Sequence, residues 1–423
     1  MNKKTNDAVI VGGGVIGAFT AYYLLEKGWH VTIVDKGRFG SGSSEGNCGL
    51  VLPNYILPVN MPGTLLKAFK WMFTNNAPLY VKPRFNLDLI QWLFNFSRKC
   101  TMKAALSAAR GRHVLLQRSF ELFLSIMEKE KLQCNWDVCG SLHVYRTKKE
   151  WEAYREVVIL LRDFGIPVEP LDHDALARFE PGLSPDLYGG WLSRQTAHLW
   201  PEKLMDGMYR LLTGRGVTVM ENSEVMRFQS VNGRVVAVET GEKTIPGAEI
   251  VIAAGAWTPM LAKQLGCTVP IQPGKGYSIT TGKLDAAPSV PCFFDEKSVV
   301  ATPWPDGFRL GGTMEFSGYD DTLNQKRLTA LSTAAVQYIK GSGIGDIEKE
   351  WCGLRPMTYD GLPIIDRSPL LENVTIAAGH NMLGLSMGPG TGQLVAEMLN
   401  GEPPHIDPKP YALKRFSQNV NTT

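Results

Sequence analysis

Ala8-Val-Ile-Val-Gly12-Gly-Gly14-Val-Ile-Gly17 joins an apolar strand to a Gly-x-Gly-x-x-Gly turn, and a helical stretch from Val15 to Lys27 follows. A second apolar run, Val31-Thr-Ile-Val-Asp35, ends on an acid 23 positions beyond Gly12. Each part has a physical task. Gly12 allows the tight turn, Gly14 lets a pyrophosphate approach the backbone, and Gly17 lets the helix pack closely on the strand. The helix N-terminus offers unpaired N–H groups and positive dipole charge to phosphates. Asp35 is placed to accept a hydrogen bond from a ribose 2′-OH. Strand, turn, helix and acid spacing agree, which predicts a βαβ unit that binds a dinucleotide.

The 423 residues suffice for two domains of ordinary size, each with its own core. With 44 basic and 41 acidic residues there is no charge excess to draw nucleic acid, and none is expected as a partner. No apolar run reaches the roughly eighteen residues of a membrane span. The first apolar stretch is needed as a strand, which argues against a signal peptide. Seven cysteines, an odd number with no Cys-x-x-Cys pair, argue against a disulfide framework and a zinc site. No metal is expected, and the setting reads as reducing and cytoplasmic.

Strands that read as buried and parallel fall at 8–11, 31–35, 250–254 and 374–378, which predicts one nucleotide-binding sheet assembled from discontinuous segments. Pro53 to Phe96 is rich in aromatics and prolines, Lys99 to Lys131 reads as helical, and Ser141 to Tyr145 as a strand. Thr147-Lys-Lys-Glu150 is a capping box opening a helix to about Phe164; Pro201 opens another, with Gly214 just past its end. Asn232-Gly233 signals a hairpin, and residues 274 to 313 read as strands with a turn at Pro305-Asp-Gly307. Helices are expected over Thr322 to Lys340 and from about Ser386 to Leu399. Ligand sites in such sheets lie at the carboxyl ends of the strands, which puts the residues after Val11, Asp35, Ala254 and Ala378 around one cleft.

Three further motifs favour FAD over NAD. Ser43-Ser44-Glu-Gly-Asn47-Cys-Gly49 offers hydroxyls and amides to phosphates and a flavin edge. Ala253-Ala254-Gly255-Ala-Trp257 ends a strand in small residues that a cofactor can approach. Gly379-His380-Asn-Met-Leu-Gly384 precedes a helix whose N-terminus can stabilise negative charge on a reduced isoalloxazine. With these in place the chain resembles the D-amino-acid oxidase superfamily of FAD-dependent oxidoreductases, and within it the bacterial D-amino-acid dehydrogenases of the small-subunit type. The resemblance also rests on Asn47 to Tyr55, Pro62 to Phe73 with Ala77-Pro-Leu79, Lys275-Gly-Tyr-Ser278 and Gly353 to Gly361. It implies an α/β fold: a Rossmann-type FAD-binding domain from 1–52, 198–262 and 352–423, and an α+β substrate domain with a mainly antiparallel sheet from 53–197 and 263–351. It carries cofactor contacts onto Lys36, Val225 and Leu385 as well. It implies non-covalent FAD, because the attaching cysteine of relatives with covalent flavin aligns with Gly353, one residue after Cys352. Cys48 departs from the small residue usual at its place, and Trp200 from the Asp usual before this proline, which reads as packing.

The reaction implied is oxidation of the Cα–N bond of a D-amino acid to an imine, which water hydrolyses to a 2-oxo acid and ammonia. If the amine is neutral, the α-hydrogen leaves as hydride to flavin N5, and the protein's main task is orientation. The planar fork of Arg suits the substrate carboxylate, and the family's anchor falls on Arg355; a structural ion pair is the alternative. Tyr55 and Tyr277 fall where the family lines the pocket, and each reads equally well as a core tyrosine. His380 is a candidate base, although packing of its ring is the preferred reading.

Lys67, Phe69, Lys70, Trp71, Phe73, Trp92, Phe94 and Phe96 read as exposed. Arg98, Lys99, Lys103, Arg110, Arg112 and Arg118 follow between Ser97 and Ser119, with no acid among them. Such a surface fits an anionic leaflet. The resemblance, more than this pattern, implies a quinone or other electron-transfer acceptor and peripheral contact with the cytoplasmic face of the inner membrane; a solvated basic helix is the alternative. Four other readings stay open. They are oxidation of a cyclic or secondary amino acid (D-hydroxyproline, proline-like or sarcosine-like), a soluble oxidase using O2, a non-catalytic flavoprotein subunit, and a NAD-dependent dehydrogenase.

Overall fold

Asp7–Val11 lies near the middle of a six-stranded sheet in the computed structural model, which describes residues 6–66, 79–341 and 343–419. The strand order is Ile364–Arg367, Val374–Ala378, Glu249–Ile252, Asp7–Val11, His30–Val34, Thr218–Met220, and every pair is parallel except the first. Both faces are covered. Ala8 and Ile10 enter one apolar core, and Val9 and Val11 enter another. That explains why this strand is apolar from Ala8 to Val11 rather than alternating. Gly12 has φ +115°, and a Cβ there would sit 2.4 Å from the Ala253 carbonyl oxygen. A Cβ on Gly17 would lie 2.0 Å from the Gly12 oxygen, so the third glycine sets the approach of helix Val15–Glu26.

That helix packs against Gly384–Asn400, which packs in turn on Met102–Glu130. A Cβ on Gly392 would stand 2.5 Å from the Phe19 backbone, and the Gly390 N–H donates to Ser119 Oγ at 2.9 Å. Ala108, Ala109, Leu115 and Phe123 join the core of the parallel sheet, although they belong to the segment expected in the substrate domain.

The second sheet runs Ile347–Thr358, Ile271–Thr281, Gly307–Phe316, Val299–Trp304, Cys292–Phe294, Ser141–Tyr145, Gly189–Ser193, Glu169–Leu171, with Leu79–Val81 paired to the end of Gly307–Phe316. Only the pairs Cys292–Phe294 with Ser141–Tyr145, and Leu79–Val81 with Gly307–Phe316, are parallel. The α/β class with a mainly antiparallel second sheet is therefore what the chain builds. The division expected at 351/352 falls inside the strand Ile347–Thr358.

Asn232 and Gly233, at φ 50° and 77°, turn the hairpin between Val225–Val231 and Arg234–Thr240. The Thr147 hydroxyl accepts from the Glu150 N–H, but the helix it opens divides at Tyr154 into Lys148–Ala153 and Arg155–Arg162. Gly214 is the last residue of its helix, and Gly216 at φ 92° makes the turn. The helix expected from Thr322 to Lys340 is shorter, Gln325–Ala335, because Asn324 caps it by accepting from the Lys326 N–H.

The surface expected to meet a membrane needs correction. Lys67, Phe69, Lys70, Trp71 and Phe73 lie outside the described residues. Trp92 is buried, donates to the Met357 carbonyl at 3.1 Å and stacks on the half-buried Phe96. Arg112 is 1% exposed, and its guanidinium donates to the carbonyls of Gly361 and Leu57, so it is a core residue. What remains outside is apolar (Leu66, Phe85, Leu87, Ile90, Phe94) with Arg98, Lys103 and Arg110 also exposed.

Candidate active site

A cavity of about 1460 Å³ runs from the glycine turn after Val11 to the strand that carries Arg355. Ordinary ligand pockets hold roughly 300–1,000 Å³, so there is room for a dinucleotide and a small substrate together. Gly12 and Gly14 line one end. Asp35 also lines it; its Oδ2 accepts from the Gly13 N–H at 2.6 Å and its Oδ1 from the Gly37 N–H at 2.8 Å. Each oxygen keeps a second lone pair that a ribose hydroxyl can use. Lys36 Nζ stands 3.8 Å from the Trp257 ring centre, and Val225, Ala254 and Gly255 continue the wall.

Ser44 Oγ accepts the Val15 N–H at 2.9 Å, which places a hydroxyl at the helix N-terminus where phosphate charge is favoured. Asn47 holds this loop: its Nδ2 donates to the Ser43 and Ser44 carbonyls, and its Oδ1 accepts from the Gly49 N–H at 2.9 Å. Ser43 Oγ donates to the Leu354 carbonyl, tying the loop to the second sheet. Gly384 and Leu385 bring the N-terminus of the last long helix to the cavity. Small residues, two helix N-termini and an acid at ribose distance from the turn fit FAD.

Gly17, Gly49 and Gly379 are not on the wall and serve packing instead. A Cβ would lie 1.9 Å from the Leu199 oxygen at Gly49, and 2.7 Å from Thr358 Cγ2 at Gly379. His380 borders the cavity, but its Nε2 meets Thr391 Oγ1 at 3.0 Å, and burial pulls its pKa down to about 3. Its ring is neutral at pH 7 and committed to packing.

At the other end, pairing between Ile271–Thr281 and Gly307–Phe316 shifts between Lys275–Glu315 and Tyr277–Gly312. Thr313 and Met314 thus oppose Gly276 alone. This bulge puts Thr313 at φ 59°, uncommon for a β-branched residue, and its carbonyl accepts from Arg355 Nη1 at 2.8 Å. The guanidinium packs on Gly276 and lines the cavity. No carboxylate pairs with it among the described residues. Burial lowers its pKa, opposed by the nearby Cys48 and Tyr55. Tyr55 shares the cavity, and its ring lies parallel to Phe293 at 6.0 Å. Its hydroxyl has no hydrogen-bond partner among the described residues, and burial, with the charge of Asp295, raises its pKa and keeps it protonated.

Tyr277 borders the same cavity, yet its hydroxyl donates to the buried Glu315 at 3.0 Å. It sits one residue from Gly276, so side-chain alternation along the strand sends it to the face opposite Arg355. Lys275 shares that face, with Nζ 3.8 Å from Glu315. Asp295 is a wall residue that sequence reading did not single out. Its Oδ2 accepts from the Tyr145 hydroxyl at 2.5 Å and faces His143 Nδ1 at 2.7 Å. A lone acid after an aromatic pair carries no motif that would have marked it. Cys48 also faces the cavity, as a thiol that burial keeps protonated, whereas Cys352 donates to the Asp321 carbonyl. The Trp351 indole covers both Gly46 and Gly353, where a Cβ would approach it to 2.1 and 2.3 Å.

The profile of the family described as FAD dependent oxidoreductase matches residues 7–398. A D-amino acid dehydrogenase of Agrobacterium fabrum is 32% identical over 420 residues, covering 97% of this chain and 100% of the relative. One of Methylobacterium nodulans is 33% identical over 412 residues, covering 94% of this chain and 96% of the relative. The fold is similar to that in the crystal structure of glycine oxidase from Geobacillus kaustophilus, with a TM-score of 0.78 at 22% identity over 97% of this chain and 98% of that one. Fingerprint, cavity and full-length similarity converge: the chain belongs to the FAD-dependent oxidoreductase family, with FAD as its cofactor.

Proposed function

We propose that the protein is a dehydrogenase that oxidises D-amino acids to 2-oxo acids and ammonia. One observation carries the reading: Arg355 presents a guanidinium to the cavity with no carboxylate partner among the described residues. A buried cation without an anion is costly, and a substrate carboxylate would offset that cost through two parallel hydrogen bonds. The protonated Tyr55 hydroxyl, near enough to Arg355 to feel its charge, would donate to the same carboxylate. Phe293 walls the site. Bound FAD would supply the hydride acceptor; the chain's own residues bind the amino acid, hold its Cα–H in line and exclude water. The full-length relatives named D-amino acid dehydrogenase support the choice of substrate. A dye-linked assay with D-amino acids tests it: 2-oxo acid and ammonia should form in equal amounts, and failure to form either with any D-amino acid would refute it.

FAD is held without a covalent bond, a reading supported by the Trp351 indole packed over Gly353 and by the Cys352 thiol, which donates to the Asp321 carbonyl. Electrons pass to a membrane acceptor such as a quinone. No helix among the described residues is long and apolar enough to cross a membrane. The exposed apolar side chains of Leu66, Phe85, Leu87, Ile90 and Phe94, beside Arg98, Lys103 and Arg110, support peripheral docking.

A further inference from the structure

Asp137, Cys139 and His198 bring a carboxylate, a thiol and an imidazole together, with their donor atoms all within 4.8 Å of one another. The backbone sets this up. Asp137 and His198 form an antiparallel bridge, exchanging N–H···O bonds of 3.0 and 2.9 Å. Their side chains therefore share a face, and Cys139, two positions along, brings its thiol to the same group. Cys139 Sγ lies 3.3 Å from His198 Nδ1. A zinc ion about 2.3 Å from sulfur and about 2.0–2.1 Å from nitrogen sets these atoms roughly 3.5 Å apart in a tetrahedron. His198 is buried and Asp137 exposed, so the group opens to solvent on one side. None of the three lines the cavity that holds Arg355.

We propose that Asp137, Cys139 and His198 form a binding site for a zinc-class divalent cation, with water in the fourth position. Thiolate, imidazole and carboxylate together suit zinc better than magnesium or calcium. Binding replaces the thiol proton of Cys139, which leaves to solvent. The absence of a Cys-x-x-Cys pair does not speak against this site, because the strand bridge rather than a short sequence spacing gathers the ligands. The ion would clip the segment before strand Ser141–Tyr145 to His198, which also pairs with Leu50. The Leu199 N–H, one residue after His198, donates to the Gly49 carbonyl at 2.9 Å. The metal would thereby brace the back of the loop that bears Ser43, Ser44 and Asn47.

The test uses the FAD-loaded protein, equilibrated with zinc and dialysed, with metal content measured by emission spectrometry and ligands by X-ray absorption at the zinc edge. One zinc per chain is expected, with one sulfur at about 2.3 Å and nitrogen or oxygen ligands at about 2.0–2.1 Å. Cys139→Ser should lose the sulfur shell. Asp137→Asn, at an exposed position that does not endanger folding, should weaken binding roughly tenfold or more. Zinc well below one per chain, or a shell of nitrogen and oxygen alone that Cys139→Ser leaves unchanged, would overturn the proposal.

Discussion

The guanidinium of Arg355 occupies the space over Gly276 that any side chain would need: a Cβ there would lie 2.1 Å from Nη1 and 2.2 Å from Cζ. The glycine is thus part of the proposed carboxylate site. Gly276→Ala should push the flexible end of Arg355 aside without disturbing the fingerprint. We expect kcat/KM to fall at least tenfold with flavin content unchanged, read from dye-linked kinetics and the flavin-to-protein absorbance ratio.

Arg355→Lys keeps the charge and removes the second parallel hydrogen bond. Charge-assisted bonds contribute about 1.5–3 kcal/mol, so kcat/KM should drop by about tenfold or more while FAD stays bound. A lysine variant as efficient as the parent would remove Arg355 from the substrate site.

The nucleotide half of this arrangement was legible because its constraints are local. Gly12, Gly14 and Asp35 lie within one βαβ unit, and all three line the cavity. Arg355 was reached only through resemblance to a family, since an arginine in a strand has no intrinsic signature. Tyr277 shows what such carry-over misses. It lies beside Gly276, yet strand alternation turns its hydroxyl to Glu315. Asp295 and the bulge at Thr313 depend on pairing between distant strands, which no window of sequence contains. Arg112 is similar: within a run of basic residues only the fold reveals the carbonyls of Leu57 and Gly361 that bury it.

His380 makes stability depend on pH in a defined direction. Burial lowers its folded-state pKa from 6.5 to about 3. As pH falls below about 6.5 the unfolded chain takes up this proton while the folded protein does not. Its contribution is therefore complete above that value and is lost as pH drops toward 3, by at most about 1.4 kcal/mol per unit. Urea unfolding at about pH 7 and pH 5 should show a smaller acid loss in His380→Gln than in the parent. Equal losses would mean that this ring does not set the acid limb.

Docking on an anionic surface should depend on Arg98, Lys103 and Arg110. Their joint replacement by Ser should release the protein from phosphatidylserine liposomes, as should high salt, because each basic side chain near the surface contributes about 1 kcal/mol that ions screen. Turnover on a soluble dye should persist. Arg112→Ser should behave differently and lower Tm, since it takes the guanidinium donors from the buried Gly361 carbonyl and the partly buried Leu57 carbonyl. Sedimentation at low and high salt, with thermal unfolding of both variants, separates the two roles.

Acid precipitation of the purified protein should leave the pellet colourless and the supernatant yellow. Colour retained in the pellet would mean a covalent flavin.

The most direct test is anaerobic mixing of the FAD-loaded protein with a D-amino acid and, separately, with its L enantiomer, while the visible flavin absorbance is followed. The expected result is rapid bleaching by the D form and none by the L form at the same concentration. Bleaching by the L form alone, or by neither across a panel of side chains, would contradict a D-amino-acid dehydrogenase anchored on Arg355.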